Sequence, residues 1–137
     1  MGGIAMGGIG AIHTFVKKIG LDKAIDSKLH LLKIHKPYHE SDHVLNFAYN
    51  ALCGGKVIDD IDHMRNDENF LDAIGARAVP DPTTAGDFCR RFTTDDIHVL
   101  MDTINEKRKE IWAKQPSEFF NLAKVDADGS IVATTGE

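Results

Sequence analysis

Near the end of the chain, Val125-Asp126-Ala127-Asp128-Gly129-Ser130 places two carboxylates two residues apart. On an extended strand, residues i and i+2 share a face. Two carboxylates on one face can hold a divalent cation, which favours hard oxygen ligands. Such an ion activates an attacking oxygen and steadies a leaving one, as cleavage of a phosphate ester requires. Asp126 and Asp128 are therefore the catalytic and metal-ligand candidates. A calcium loop would put Asp126, Asp128, Ser130 and Glu137 at loop positions 1, 3, 5 and 12, but position 6 needs Gly and holds Ile131. The plain alternative is an acidic hairpin turn, because Asp-Gly is a turn signal by itself.

Three further stretches bear on chemistry. His39-Glu40-Ser41-Asp42-His43 matches H-E-x-x-H. Zinc chemistry there needs both His on one face of an established helix. Pro37 stands just before, and Ser41 or Asp42 is the expected N-cap, so His39 should fall outside the helix. Charge is segregated along the chain. His13 to Lys36 carries six Lys and two Asp, whereas Asp59 to Asp72 carries six acids and one Arg. Two solvated faces would explain this, as would a DNA-facing side that includes Lys17 and Lys18. Finally, Pro80 to Phe92 reads as a capped helix. Thr83 and Thr84 at its start could bond a phosphate, and Arg90 and Arg91 could reach phosphates or base edges. Phe88 and Phe92, four apart, should face the core.

The elements that must position these residues are mostly helices. Ile9, Ile12, Phe15, Val16 and Ile19 recur at helical spacing, and Gly20 is a stop. A short helix is expected over 21–29, then a basic connection to Tyr38. From Val44 to Leu52 the residues are apolar almost all round, which predicts a central, buried helix ended by Gly54 and Gly55. Short helices are expected over 59–65 and 68–74. Pro80 and Pro82 exclude a helix between them and the next, capped by Thr83 or Thr84. Thr94 should cap the longest helix, with Ile97, Leu100, Met101, Ile104 and Ile111 as its buried stripe. After Pro116 the period becomes two, which predicts a strand over 122–128, a turn at Gly129 and a second strand over 130–134. The expected fold is mainly α: a multi-helix domain over 1–115, then a short β-hairpin over 116–137.

Composition bounds the rest. The chain has 137 residues, the size of one domain. Its formal charge of −5 argues against a basic surface over the whole chain, while leaving room for a local basic face. Cys53 and Cys89 sit in apolar runs and set no disulfide framework, so buried reduced thiols in a cytoplasmic setting are expected. No run approaches the roughly 20 apolar residues of a membrane span.

Taken together, Pro37 to Asn46, Ala48 to Asn50, Asp81 to Phe92, Asp126 to Ser130 and Thr135 to Glu137 resemble a bacterial insertion-sequence transposase of the DDE class. The resemblance covers nearly the whole chain, and its two middle blocks are the most specific. It implies a helical leading domain that helps bind the element's terminal repeats, followed by a ribonuclease-H-like catalytic domain. In the intact family enzyme that domain uses Asp, Asp and Glu to hold two Mg2+ or Mn2+ ions. The first Asp maps onto Asp128, with Asp126 as the alternative. The second Asp and the Glu have no counterpart, so the resemblance implies a truncated chain, inactive in catalysis alone. Its implied partners are DNA and either a second copy or intact transposase. An isolated reading of the acid pair gives a phosphatase-like or nuclease-like enzyme, since D-x-D-G-[ST] also opens haloacid-dehalogenase-like phosphatases. A non-functional remnant is the third reading.

Overall fold

In the computed structural model, which describes residues 6–127 and 129, seven helices follow one another: α1 (Ile9–Ile19), α2 (Leu21–Lys28), α3 (Glu40–Leu52), α4 (Ile61–Arg65), α5 (Glu68–Ala73), α6 (Pro82–Cys89) and α7 (Thr94–Trp112). Short 3-10 turns precede α4 and follow α7. Gly20 separates α1 from α2 with φ of 68°, where a Cβ would be strained; its N–H is accepted by the Lys17 and Val16 carbonyls.

Helix α3 is the axle. One of its sides, with Leu45 and Tyr49, joins Ile9, Val16, Ile61, Met64 and Phe70 in a first core. Val44 and Phe47 lean on a second core of Ile25, Leu29 and Phe88, which α7 reaches through Leu100. Helix α2 packs on both α3 and α7.

The caps differ from the expected ones by one to three residues. His39, not Ser41 or Asp42, caps α3: its N–H donates to the Asp42 carboxylate at 2.9 Å. Asp81 caps α6, accepting from the Thr84 N–H at 2.9 Å, and Pro82 fills the first helical position, where no donor is needed. Thr93 caps α7 in a reciprocal box with Asp96. In each case a nearby carboxylate captured the turn: Asp42, Asp81 and Asp96.

Two larger expectations fail. Among the described residues there is no β-strand. Ser117–Phe120 is a 3-10 turn, and 122–127 runs on without regular structure. Leu122 and Val125 are 72% and 88% exposed, so the alternation has no core face to bury, and a lone two-strand ribbon is marginal in water. The expected hairpin, and with it the first strands of a ribonuclease-H-like domain, is therefore absent from 122–127; 130–134 lies outside the described residues. In α7, Ile97, Met101 and Ile104 are exposed, while Thr103 is 1% exposed and Leu100 faces α2. The helix carries two apolar stripes, and the described residues cover only one. Cys89 is likewise exposed rather than buried; Cys53 is half-buried, and both thiols are free.

The link between α2, α3 and the loop at 29–39 is polar. Glu40, 1% exposed, accepts the Leu31 and Leu32 N–H groups at 3.0 and 2.9 Å and lies 3.1 Å from His35 Nδ1. Asp26 of α2 accepts the Ser41 N–H and hydroxyl at 2.8 and 3.0 Å. Burial alone would raise the Glu40 pKa; the amide donors, led by Leu32, and the nearby His35 outweigh it and hold the pKa below its usual value of 4.5. A carboxylate so depressed stabilises the fold above its unfolded pKa and loses that contribution as pH falls through the folded value. Glu40→Ala should therefore lower the unfolding free energy at pH 7 by about 2–4 kcal/mol, leaving two amides without an acceptor. Urea titrations at pH 7 and pH 4 check this: the deficit should shrink at the lower pH. A midpoint equal to that of the parent chain at pH 7 would show that the carboxylate does not hold the loop.

Candidate nucleic-acid interface

The first turns of α3 and the body of α6 meet face to face. The His43 ring, 3% exposed, stacks on Phe88 with centroids 4.3 Å apart and planes 9° from parallel. Tyr38 meets the His43 ring edge-on at 5.7 Å, and Phe92 does the same to Phe88 at 5.3 Å. Asn46 Nδ2 donates to the Pro80 carbonyl at 3.0 Å across the same junction. Ala85 and Gly86 are buried, so small side chains let α6 lie close. Phe88 faces the core as expected, and the half-buried Phe92 packs against the second core.

This packing disposes of zinc chemistry at His39 to His43. His39 sits at the cap and stacks on His35 at 5.5 Å, Glu40 is spent on the loop, and His43 is spent on Phe88. Among the described residues, no three His, Cys, Asp or Glu side chains are grouped to hold a metal ion. Asp126 is exposed in an irregular segment, and Asp128 lies outside the described residues. Of the acid pair that the resemblance would give to Mg2+ or Mn2+, only Asp126 lies among the described residues, and no catalytic step is derived from it alone.

The basic and hydroxyl residues separate into distinct places. Thr83 is exposed at the start of α6. Thr84 is already engaged: its N–H and hydroxyl both donate to Asp81, at 2.9 and 3.0 Å. Those two bonds are the main reason that the Asp81 pKa lies below normal, so a carboxylate stands where a phosphate was expected. At the other end of α6, Arg90 pairs with Asp87, whereas Arg91 is exposed with no ion-pair partner among the described residues. Lys17 pairs with Asp22 at 2.8 Å, and Lys18 is exposed beside it on α1. The loop that Glu40 tethers carries exposed Lys33, His35 and Lys36.

Comparison with known protein families, curated proteins and solved structures finds no match.

A concavity of about 430 Å³ opens between α1, α3 and the 74–80 segment. His13 Nδ1 and the Tyr49 hydroxyl meet on its wall at 2.8 Å, with Lys17 and Arg77 at its margin. Burial, reinforced by the Asp22 charge, pushes the Tyr49 pKa up to about 12, so the phenol stays protonated. Among the described residues no helix is long and apolar enough to cross a membrane.

Sequence reasoning missed the polar face of α3. His43, Asn46 and Asn50 fall at i, i+3 and i+7, a helical stripe, and all are buried. That spacing was the available signal, hidden by the apolar residues on either side.

Burial depresses the His43 pKa below 6.5, and the Arg91 charge adds to the effect; the Asp42 and Glu40 charges oppose it. A histidine kept neutral by folding destabilises the fold as pH drops below its unfolded pKa, because the unfolded chain takes the proton more readily. His43→Phe keeps a ring against Phe88 and removes the proton site. Its melting temperature should therefore fall less than the parent's between pH 7 and pH 5.5, as read by circular dichroism. Equal losses in the two proteins would mean that His43 contributes nothing to acid sensitivity.

Proposed function

We propose that the chain acts as the helical leader of a DDE-class transposase and that it binds duplex DNA at the ends of its element. The observation that carries this reading is the His43–Phe88 junction. It unites Pro37 to Asn46 with Asp81 to Phe92, two of the stretches that carry the family resemblance. Residues more than thirty positions apart in the sequence are thereby packed together.

Charge supports the same reading. Arg91 follows α6, whose Phe88 stacks on His43, and the tethered loop with Lys33 and Lys36 leads into the first turn of α3. The acidic 59–72 segment belongs to α4 and α5 instead. A chain of net charge −5 can still carry local cations, and short-range phosphate contacts count more than total charge. Lys18 on α1 and Thr83 at the start of α6 are further exposed donors on this reading; Lys17 and Arg90 contribute once their carboxylate partners yield.

Fluorescence anisotropy with labelled duplexes tiled across the DNA flanking the chain's own gene tests the proposal. Binding should weaken steeply with salt and favour the duplexes that hold terminal repeats. Arg91→Ala should reduce the slope of log K against log salt by about one, the share of a single phosphate contact. Lys33→Ala with Lys36→Ala should reduce it by about two. Absence of binding at low salt to every flanking duplex overturns the proposal, as does an unchanged slope in both variants.

A further inference from the structure

The concavity between α1, α3 and the 74–80 segment, about 430 Å³, lies in the size range of small-molecule sites. Its polar lining is unevenly committed. Lys17 is held by Asp22 at 2.8 Å, and His13 Nδ1 and the Tyr49 hydroxyl hold each other at 2.8 Å. Arg77, by contrast, is exposed and forms no ion pair among the described residues. Asp42 spends Oδ2 on the His39 N–H at 2.9 Å, and its Oδ1 has no hydrogen-bond partner among the described residues.

A third polar group is costlier to leave idle. Asn46 is 2% exposed and lines the concavity together with Pro80. Its Nδ2 donates to the Pro80 carbonyl at 3.0 Å; that carbonyl can only accept, which fixes the amide with Oδ1 as the free atom. This Oδ1 is buried and accepts nothing among the described residues. Buried acceptors in folded chains nearly always have a donor. The lining thus holds two acceptor oxygens that want donors, one uncommitted guanidinium, and apolar surface from Ile74 and Val79.

We propose that this concavity binds a small zwitterion, an α-amino acid with an apolar side chain. An ammonium carries three donors, so it can serve Asn46 Oδ1 and Asp42 Oδ1 together. The guanidinium of Arg77 offers a carboxylate two parallel N–H donors. The side chain takes the apolar part of the wall. A phosphate monoester fits less well, because its two charges would meet Asp42 with one uncommitted cation to answer them. The proposal does not rest on the DNA reading, and its test contains no DNA.

Amide chemical shifts of the 15N-labelled chain, titrated with L-leucine and with L-phenylalanine to about 10 mM, provide the readout. A ligand of this size should bind at roughly millimolar or tighter and shift the amides of residues 74–79. Removing either charge from the ligand, as in the amino-acid amide or the N-acetyl amino acid, should weaken binding about tenfold or more. Arg77→Gln should weaken the amino acid by a similar factor and leave it no better than its amide. The melting temperature of this variant should match the parent's, since Arg77 is exposed. Absence of shifts at 74–79 with both amino acids overturns the proposal and leaves Asn46 Oδ1 to water. So does equal binding of either analogue, an unchanged affinity in Arg77→Gln, or tighter binding of adenosine monophosphate than of both amino acids.

Discussion

A buried carboxylate at the first turn of α3 constrains most of the fold around it. Glu40 has almost no contact with water, so its charge must be answered within the chain. It is answered by two backbone amides of a loop that makes no helix of its own and by His35. The loop at 29–39 is therefore fixed by the helix it precedes. Asp26 does the same from α2, reaching the Ser41 amide that a helix start leaves without a partner. Helices α2 and α3 are thus joined through polar atoms as well as through Ile25 and Leu29. With that end of α3 fixed, His43 is presented to Phe88 and Asn46 to Pro80, and α6 docks.

The helical skeleton is legible in the sequence because its punctuation is local. Gly20 and Gly75 stop helices through positive φ, and prolines at 80 and 82 forbid one. These depend on one residue each, so the sequence displays them directly. Caps are less legible, since several Ser, Thr and Asp residues compete at every helix start. Asp81 wins over Thr83 and Thr84 because its carboxylate satisfies two donors at once. The interior of α3 is obscure for a different reason. Apolar residues on nearly every side hide a buried polar stripe whose partners lie beyond the helix. Asn50 is one example: it donates to the Val57 carbonyl, and Gly55 must lack a Cβ because the Asn50 amide oxygen would lie 2.2 Å from it.

Residues 122–127 show the limit of periodicity. Alternation with period two describes side chains that would separate onto two faces of a strand, but it does not provide the neighbour that makes the faces differ. Val125 has no such neighbour among the described residues, and the segment takes no regular structure. A shared strand face is what would have brought the acid pair together; without the strand, Asp126 is an exposed carboxylate on irregular backbone. The candidate interface depends less on such assumptions. Its decisive contact, His43 on Phe88, joins residues whose places on α3 and α6 are set by helical spacing alone.

Helix α7 makes the complementary point. Apolar residues there occupy more of the circumference than one neighbour can cover, and period alone cannot rank two overlapping stripes. Packing ranks them: α2 takes the side with Leu100 and Thr103, because Leu100 packs there against the core of Ile25 and Leu29. The remaining stripe is then left facing water. Three large aliphatic side chains in helical register on one exposed face forgo the stabilisation that burial would give them, roughly 1.5–3 kcal/mol each. A lone exposed Ile needs no explanation, whereas this row marks the side of α7 on which the described residues place no neighbour.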